Sequence, residues 1–130
     1  RAIELEPTAP LAYLDRGIIY QSRQDLPAAL ADYNRAAALG LQDANLYSWR
    51  GDAYLAQGEW DKAIDDYNAA LALDPQNPLA YANRGIAWSR IGNVKAAQAD
   101  LDQAAAQFQA SGDSDNYALV MQYLHSLDGQ

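Results

Sequence analysis

The chain has 130 residues, half of them apolar and a fifth charged, which is the profile of one soluble globular unit able to bury a core. Nine Lys and Arg stand against seventeen Asp and Glu, a formal net charge of −8, so a phosphate backbone or an anionic bilayer surface would be repelled. There is no cysteine, which excludes disulfides, thiol catalysis and cysteine–zinc sites. No apolar run approaches the roughly 18 residues of a membrane span, and no signal-peptide pattern is present.

Alanine, leucine, aspartate and glutamine dominate, while valine, threonine and phenylalanine are scarce, a bias toward helix over strand. Residues 1–9 begin with "RAIELEP", which reads as the last turn of a helix preceding the first complete unit; Pro7 ends it. Because Pro7 lies 68 residues before Pro75, in the same column of the pattern described next, at least one more unit is expected upstream.

Residues 10–43, 44–77 and 78–111 are three copies of one pattern. Arg16, Arg50 and Arg84 are 34 apart, and so are Gly17, Gly51 and Gly85. The same step relates Tyr13, Tyr47 and Tyr81; Tyr20, Tyr54 and Trp88; Ala29, Ala63 and Ala97; Asp32, Asp66 and Asp100; and Ala36, Ala70 and Ala104. Within the middle copy, Leu46, Arg50, Ala53 and Tyr54 recur at helical spacing, as do Trp60, Ala63, Ile64, Tyr67 and Leu71. Gly58 separates the two halves, as Gly92 does in the third copy. Asn77 is a predicted N-cap, with Pro78 opening the next helix. The predicted unit is helix, turn, helix, turn, with Gly51, Ala63 and Ala70 where paired helices approach, and Trp60 and Trp88 in the core.

Arg50-Gly51-Asp52 spells a cell-adhesion tripeptide, but its counterparts are Arg16-Gly17-Ile18 and Arg84-Gly85-Ile86. The tripeptide is therefore expected inside a helix, with Gly51 against a neighbour, and not at a loop tip. Residues 112–130 leave the columns. Gly112 stops a helix, Asp113 or Ser114 caps the next, and Tyr117, Val120, Met121, Leu124 and Leu127 form one apolar stripe, as a terminal capping helix requires. His125, the single histidine, has no serine or metal-ligand cluster around it in sequence. No phosphate-binding glycine loop exists. The chain is expected to be neither an enzyme nor a holder of a metal or cofactor.

This pattern resembles the tetratricopeptide repeat: Tyr47, Gly51, Tyr54, Ala63, Tyr67, Ala70 and Pro75 occupy the large, small, aromatic, alanine and proline positions of that family. The resemblance implies an all-α solenoid of helix-turn-helix repeats, wound as a right-handed superhelix, with three repeats and a capping helix. The chain departs from the family at position 7, where arginine replaces the usual leucine. Arg16, Arg50 and Arg84 are expected to pair with Asp32, Asp66 and Asp100 between helices.

The resemblance further implies a concave groove lined by the first helix of each pair. In this chain it would present Leu11, Leu14, Asp15 and Ile18, then Asn45, Ser48, Trp49, Asp52 and Leu55, then Leu79, Asn83, Ile86 and Arg90. Chaperone-tail binders of the family clamp a carboxylate with lysine and asparagine at several of these positions. Leu14, Ile18 and Leu79 stand there instead, so that subtype is not expected. The expected function is a protein–protein interaction scaffold that assembles a multiprotein complex in the cytoplasm. Its expected partner is a peptide or amphipathic helix with apolar anchors and basic residues, held on Trp49. The alternative is a self-association module that joins chains into a homo-oligomer through exposed repeat ends.

Overall fold

The computed structural model describes residues 9–128, and within them the chain forms seven helices and no strand. They are α1 (Pro10–Ser22), α2 (Leu26–Ala38), α3 (Ala44–Ala56), α4 (Trp60–Leu73), α5 (Pro78–Arg90), α6 (Val94–Ser111) and α7 (Ser114–Asp128). The stub before residue 9, including Pro7, lies outside the described residues. None of the described helices is long and apolar enough to cross a membrane.

Local chemistry sets the helix starts. The side chains of Asp25, Asp43, Asn77 and Asn93 accept backbone N–H groups in the first turns of α2, α3, α5 and α6, and Asp113 does so for α7. Each cap satisfies a donor that the helix itself leaves orphaned. Pro10 and Pro78 open α1 and α5. The turns between paired helices use one left-handed residue at a fixed place: Gly58 at φ +79° and Gly92 at φ +89°. In the first repeat the same place holds Gln24, at φ +66°.

Turns this short force consecutive helices to pack side by side and antiparallel. α1 lies on α2, α3 on α4, α5 on α6 and α7 on α6, and each pair leans on the next through α2–α3 and α4–α5. The core follows this order. Tyr13, Leu14, Leu30 and Tyr33 fill the first pair and meet Leu46 and Ala53 of α3. Ala63, Tyr67, Leu71 and Ala80 join α4 to α5. Leu101, Ala104, Phe108, Val120 and Leu127 join α6 to α7, with Tyr117, Met121 and Leu124 packed around them. The amphipathic stripe of α7 thus covers the last repeat.

The repeated small residue is explained by a close approach. A Cβ on Gly51 would stand 2.8 Å from Cε1 of Tyr67, and one on Gly17 would stand 2.6 Å from Cε1 of Tyr33. On Gly85 it would meet Cγ of Leu101 at 2.9 Å and the carbonyl oxygen of Ala97 at 3.2 Å. The adhesion tripeptide is helical, with Gly51 buried within α3. Trp60 departs from expectation. It is the first residue of α4 and only half-buried, with the Arg90 guanidinium over its ring at 5.9 Å. Trp88 is also half-buried, but it packs on the α5–α7 core.

Candidate functional site

The arginine and aspartate columns meet as expected. Arg16, Arg50 and Arg84 each donate two hydrogen bonds, through Nε and Nη2, to the carboxylates of Asp32, Asp66 and Asp100, at 2.7 to 2.9 Å. The three aspartates are buried, and the forked geometry lets one cation satisfy both oxygens. Arg50 Nη1 also donates to Asn34 Oδ1 at 3.1 Å, and Arg84 Nη1 to Asn68 Oδ1 at 2.8 Å. Each of these arginines therefore ties its own helix pair to the second helix of the preceding pair. The local charge balance differs along the ladder. Burial pushes the Asp32 carboxyl up, but the guanidiniums of Arg16 and Arg35 outweigh it and hold the group below its ordinary value. Asp66 has a single guanidinium, and burial leaves its carboxyl raised.

With these charges neutralised inside the stack, the site is formed by the odd-numbered helices. α1 touches α3 and α3 touches α5, whereas α2 does not reach α4, nor α4 α6. The array therefore curves with α1, α3 and α5 along its inner wall. On that wall, Asn45, Ser48, Trp49 and Asp52 of α3 face Leu79 and Asn83 of α5 across a concavity of about 230 Å³. All six were expected at a groove. Tyr67, Asn77 and Ala80 complete the lining and were not. Asn77 also caps α5, and the Tyr67 ring also fills the α4–α5 core. Both have a second use that nothing in the spacing signals.

The other expected groove residues lie outside this cavity. Leu11 and Asp15 are exposed on α1, Ile18 and Ile86 are half-buried, Leu55 packs on the α4–α5 core, and Arg90 covers Trp60. Leu14 is a correction: it is 5% exposed and belongs to the first core. Ala82 in the same column is likewise buried, whereas Ser48 is half-buried at the cavity with its hydroxyl enclosed. Leu14 and Ala82 thus belong to the core and not to the groove surface.

Two large apolar side chains stand open on the wall, Trp49 at 37% exposure and Leu79 at 53%. Between them lies a polar floor. The Tyr67 hydroxyl donates to Asp52 Oδ1 at 2.5 Å, and Asn83 Nδ2 donates to the same oxygen at 3.0 Å. Burial pushes the Asp52 carboxyl above its ordinary range despite these two donors, and it raises the Tyr67 phenol well above its usual value. Ser48 Oγ is buried with no hydrogen-bond partner. No group of three or more His, Asp or Glu arranged to hold a metal occurs among the described residues.

A curved stack of helix pairs with an open inner wall defines a helical-repeat solenoid. Residues 51–92 match the family model of the TPR repeat. Among solved structures the chain resembles the TPR2B domain of yeast Sti1 in its complex with pHsp70, at 23% identity and a TM-score of 0.84, over 93% of this chain and 97% of that one. It also resembles the second TPR of Spaghetti (RPAP3) bound to the HSP90 peptide SRMEEVD, at 26% identity and a TM-score of 0.73, over 78% and 94% of the two chains. The second TPR domain of human RPAP3, in complex with the HSP70 peptide SGPTIEEVD, is similar at 22% identity and a TM-score of 0.80, over 95% and 98%. No curated protein matches the chain. Residues 51–92 thus carry the TPR pattern, and the chain as a whole has the fold of these TPR domains.

Proposed function

We propose that the chain binds a segment of a partner protein, a peptide or an amphipathic helix, along the inner wall of α1, α3 and α5, and so helps to assemble a multiprotein complex. The observation that carries this reading is the cavity between α3 and α5, where Trp49 and Leu79 remain open on either side of a polar floor. Exposed tryptophan beside a concavity is the anchor chemistry of interfaces, and inner-wall leucines at Leu11 and Leu79 supply further apolar contacts. The similar RPAP3 structures hold chaperone peptides that end in acidic residues. Here Leu14 is in the core, and Ile18 and Leu79 offer no charge to a carboxylate. The segment bound by this chain therefore differs from those peptides.

No catalytic role enters the proposal, since the buried carboxylates of Asp32, Asp66 and Asp100 are committed to arginine pairs. The reading keeps the cytoplasm as the place of action, because a groove for protein segments needs no bilayer; fractionation of cells expressing the full-length protein tests it.

A peptide array displaying amphipathic 12-residue sequences, probed with the chain and with Trp49→Ala, tests the groove. Binding that is lost in the variant supports it. Binding that survives Trp49→Ala unchanged, or a chain that binds no peptide and sediments as a dimer, refutes it; the dimer would favour self-association.

A further inference from the structure

Among the described residues each buried aspartate, Asp32, Asp66 and Asp100, is paired with an arginine, whereas Asp52, half-buried, makes no ion pair. It nevertheless sits on the floor of the α3–α5 cavity, held in place by two donors. We propose that this cavity is a subsite for a lysine side chain of the partner segment, whose ammonium docks on Asp52 Oδ2 while its methylene stem lies along Trp49. The proposal deepens the groove reading above and rests on it.

The choice of lysine over arginine follows from the donors already present. Oδ1 accepts from both Tyr67 and Asn83, so its lone pairs are used. A guanidinium fork needs an available lone pair on each carboxylate oxygen, as in the arginine pairs at Asp32, Asp66 and Asp100, and Oδ1 of Asp52 has none left. An ammonium is a point charge with three rotatable donors, and one free oxygen suffices for it. Trp49 offers an aromatic face to the stem and the charge.

Size and field agree. The volume of about 230 Å³ is below the roughly 300–1,000 Å³ of pockets that enclose a small-molecule ligand, and it suits one side chain. A net charge of −8 attracts a cation from a distance. The upward push on the Asp52 carboxyl shows that burial works against the charged form there, a cost that a docked ammonium would offset.

The test uses acetyl-Ala-Lys-Ala-amide as probe, with the norleucine and arginine peptides as comparisons, titrated against the isotope-labelled chain by NMR. The reporters are the Trp49 indole and the Asn83 side-chain amide. The lysine peptide is expected to shift both saturably, and Asp52→Asn to weaken it about tenfold or more. That variant is isosteric, and its amide oxygen can still accept from Tyr67 and Asn83, so the fold is retained. Asp102→Asn, exposed on α6 and away from this wall, is expected to change nothing. Trp49→Ala, read through the Asn83 amide, serves as a second variant and is expected to weaken the lysine peptide to a smaller degree. Equal or tighter binding of the arginine or norleucine peptide, or indifference to Asp52→Asn, overturns the proposal. Array peptides that bind through Trp49 without preferring lysine overturn the subsite and leave the groove standing. A saturable lysine response from a chain that binds no array peptide supports the subsite and sinks the groove.

Discussion

Breaking the Arg50–Asp66 pair measures what the repeated ion pairs contribute. Asp66 is 5% exposed and receives Arg50 Nε at 2.9 Å and Nη2 at 2.8 Å. Arg50→Met keeps much of the aliphatic stem and removes the charge. Orphaning a buried partner costs roughly 3–5 kcal/mol. Loss of the Asn34 bond adds about 0.5–1.5 kcal/mol. Loss of the Tyr47 ring contact, at 5.7 Å, adds about 0.5–1 kcal/mol. Asp66 has an escape, since burial raises its carboxyl and, with Arg50 gone, favours the protonated form, which limits the penalty. We therefore expect about 3–4 kcal/mol for Arg50→Met, toward the lower end of the buried-pair range. Asp66→Asn leaves the fork one neutral acceptor and should cost about 1.5–3 kcal/mol. The double variant should cost less than the sum of the two, by about 1.5–3 kcal/mol of coupling. Urea unfolding followed by far-UV circular dichroism reads these values, provided the denaturant slope stays constant across the four proteins. Losses that add to within about 0.5 kcal/mol would show that the pair is a bystander, and the reasoning would fail.

Three further outcomes follow from the same coordinates. Gly51→Ala sets a methyl against Tyr67, which is fully buried and tethered through its hydroxyl; overpacking of about 1–3 kcal/mol should exceed the roughly 1 kcal/mol gained in helix propensity, so a melting temperature at or above the parent's would refute the close approach. Gln24→Gly should stabilise the chain by up to about 1 kcal/mol, because a non-glycine residue at φ +66° bears a left-handed strain that Gly58 and Gly92 avoid; a chemical-denaturation midpoint that falls would contradict this. Asp32 has a folded pKa below its ordinary 3.8, so its contribution is fully present above that value and is lost as pH falls through the folded pKa; the stability gap between the parent and Asp32→Asn should therefore close on acidification below 3.8, and a gap that widens there would reverse the assigned direction.

The fold was legible because its determinants recur. A period of 34 aligns Arg16 with Arg50 and Arg84 and Asp32 with Asp66 and Asp100, and contacts made three times over leave three copies of the same residues in sequence. The Asx caps and the glycines at Gly58, Gly92 and Gly112 are equally local, since each is dictated by a backbone group or a positive φ within a turn. Trp60 misled for the opposite reason. Its aromatic character suggested core, but it is the first residue of α4, and the contact its ring makes with Arg90 comes from α5, which the spacing does not show. Leu14 misled because it belongs here to the first core, and whether such a residue is open depends on how closely α1 approaches α3.

The candidate site was only half legible, and the cause lies in the repeat itself. Residues that hold the fold must be alike in every copy; residues that distinguish a ligand need not be. The column of Asp52 shows this, for its other members are Ile18 and Ile86. The tyrosine beneath it is shared by two copies, but Tyr33 donates to Gln21 while Tyr67 donates to Asp52. One scaffold contact, a buried ring against a helical glycine, thus carries a hydroxyl whose acceptor differs from repeat to repeat. In the second repeat that acceptor is a carboxylate with no arginine, and Asn83 of the third repeat reaches it across the seam. The place where a repeat pattern breaks its own charge balance is accordingly the place to look for a ligand. Asp15 and Asp65 are just as unmatched in their columns, so it is the cavity and the two donors on Oδ1, which only the fold brings together, that set Asp52 apart.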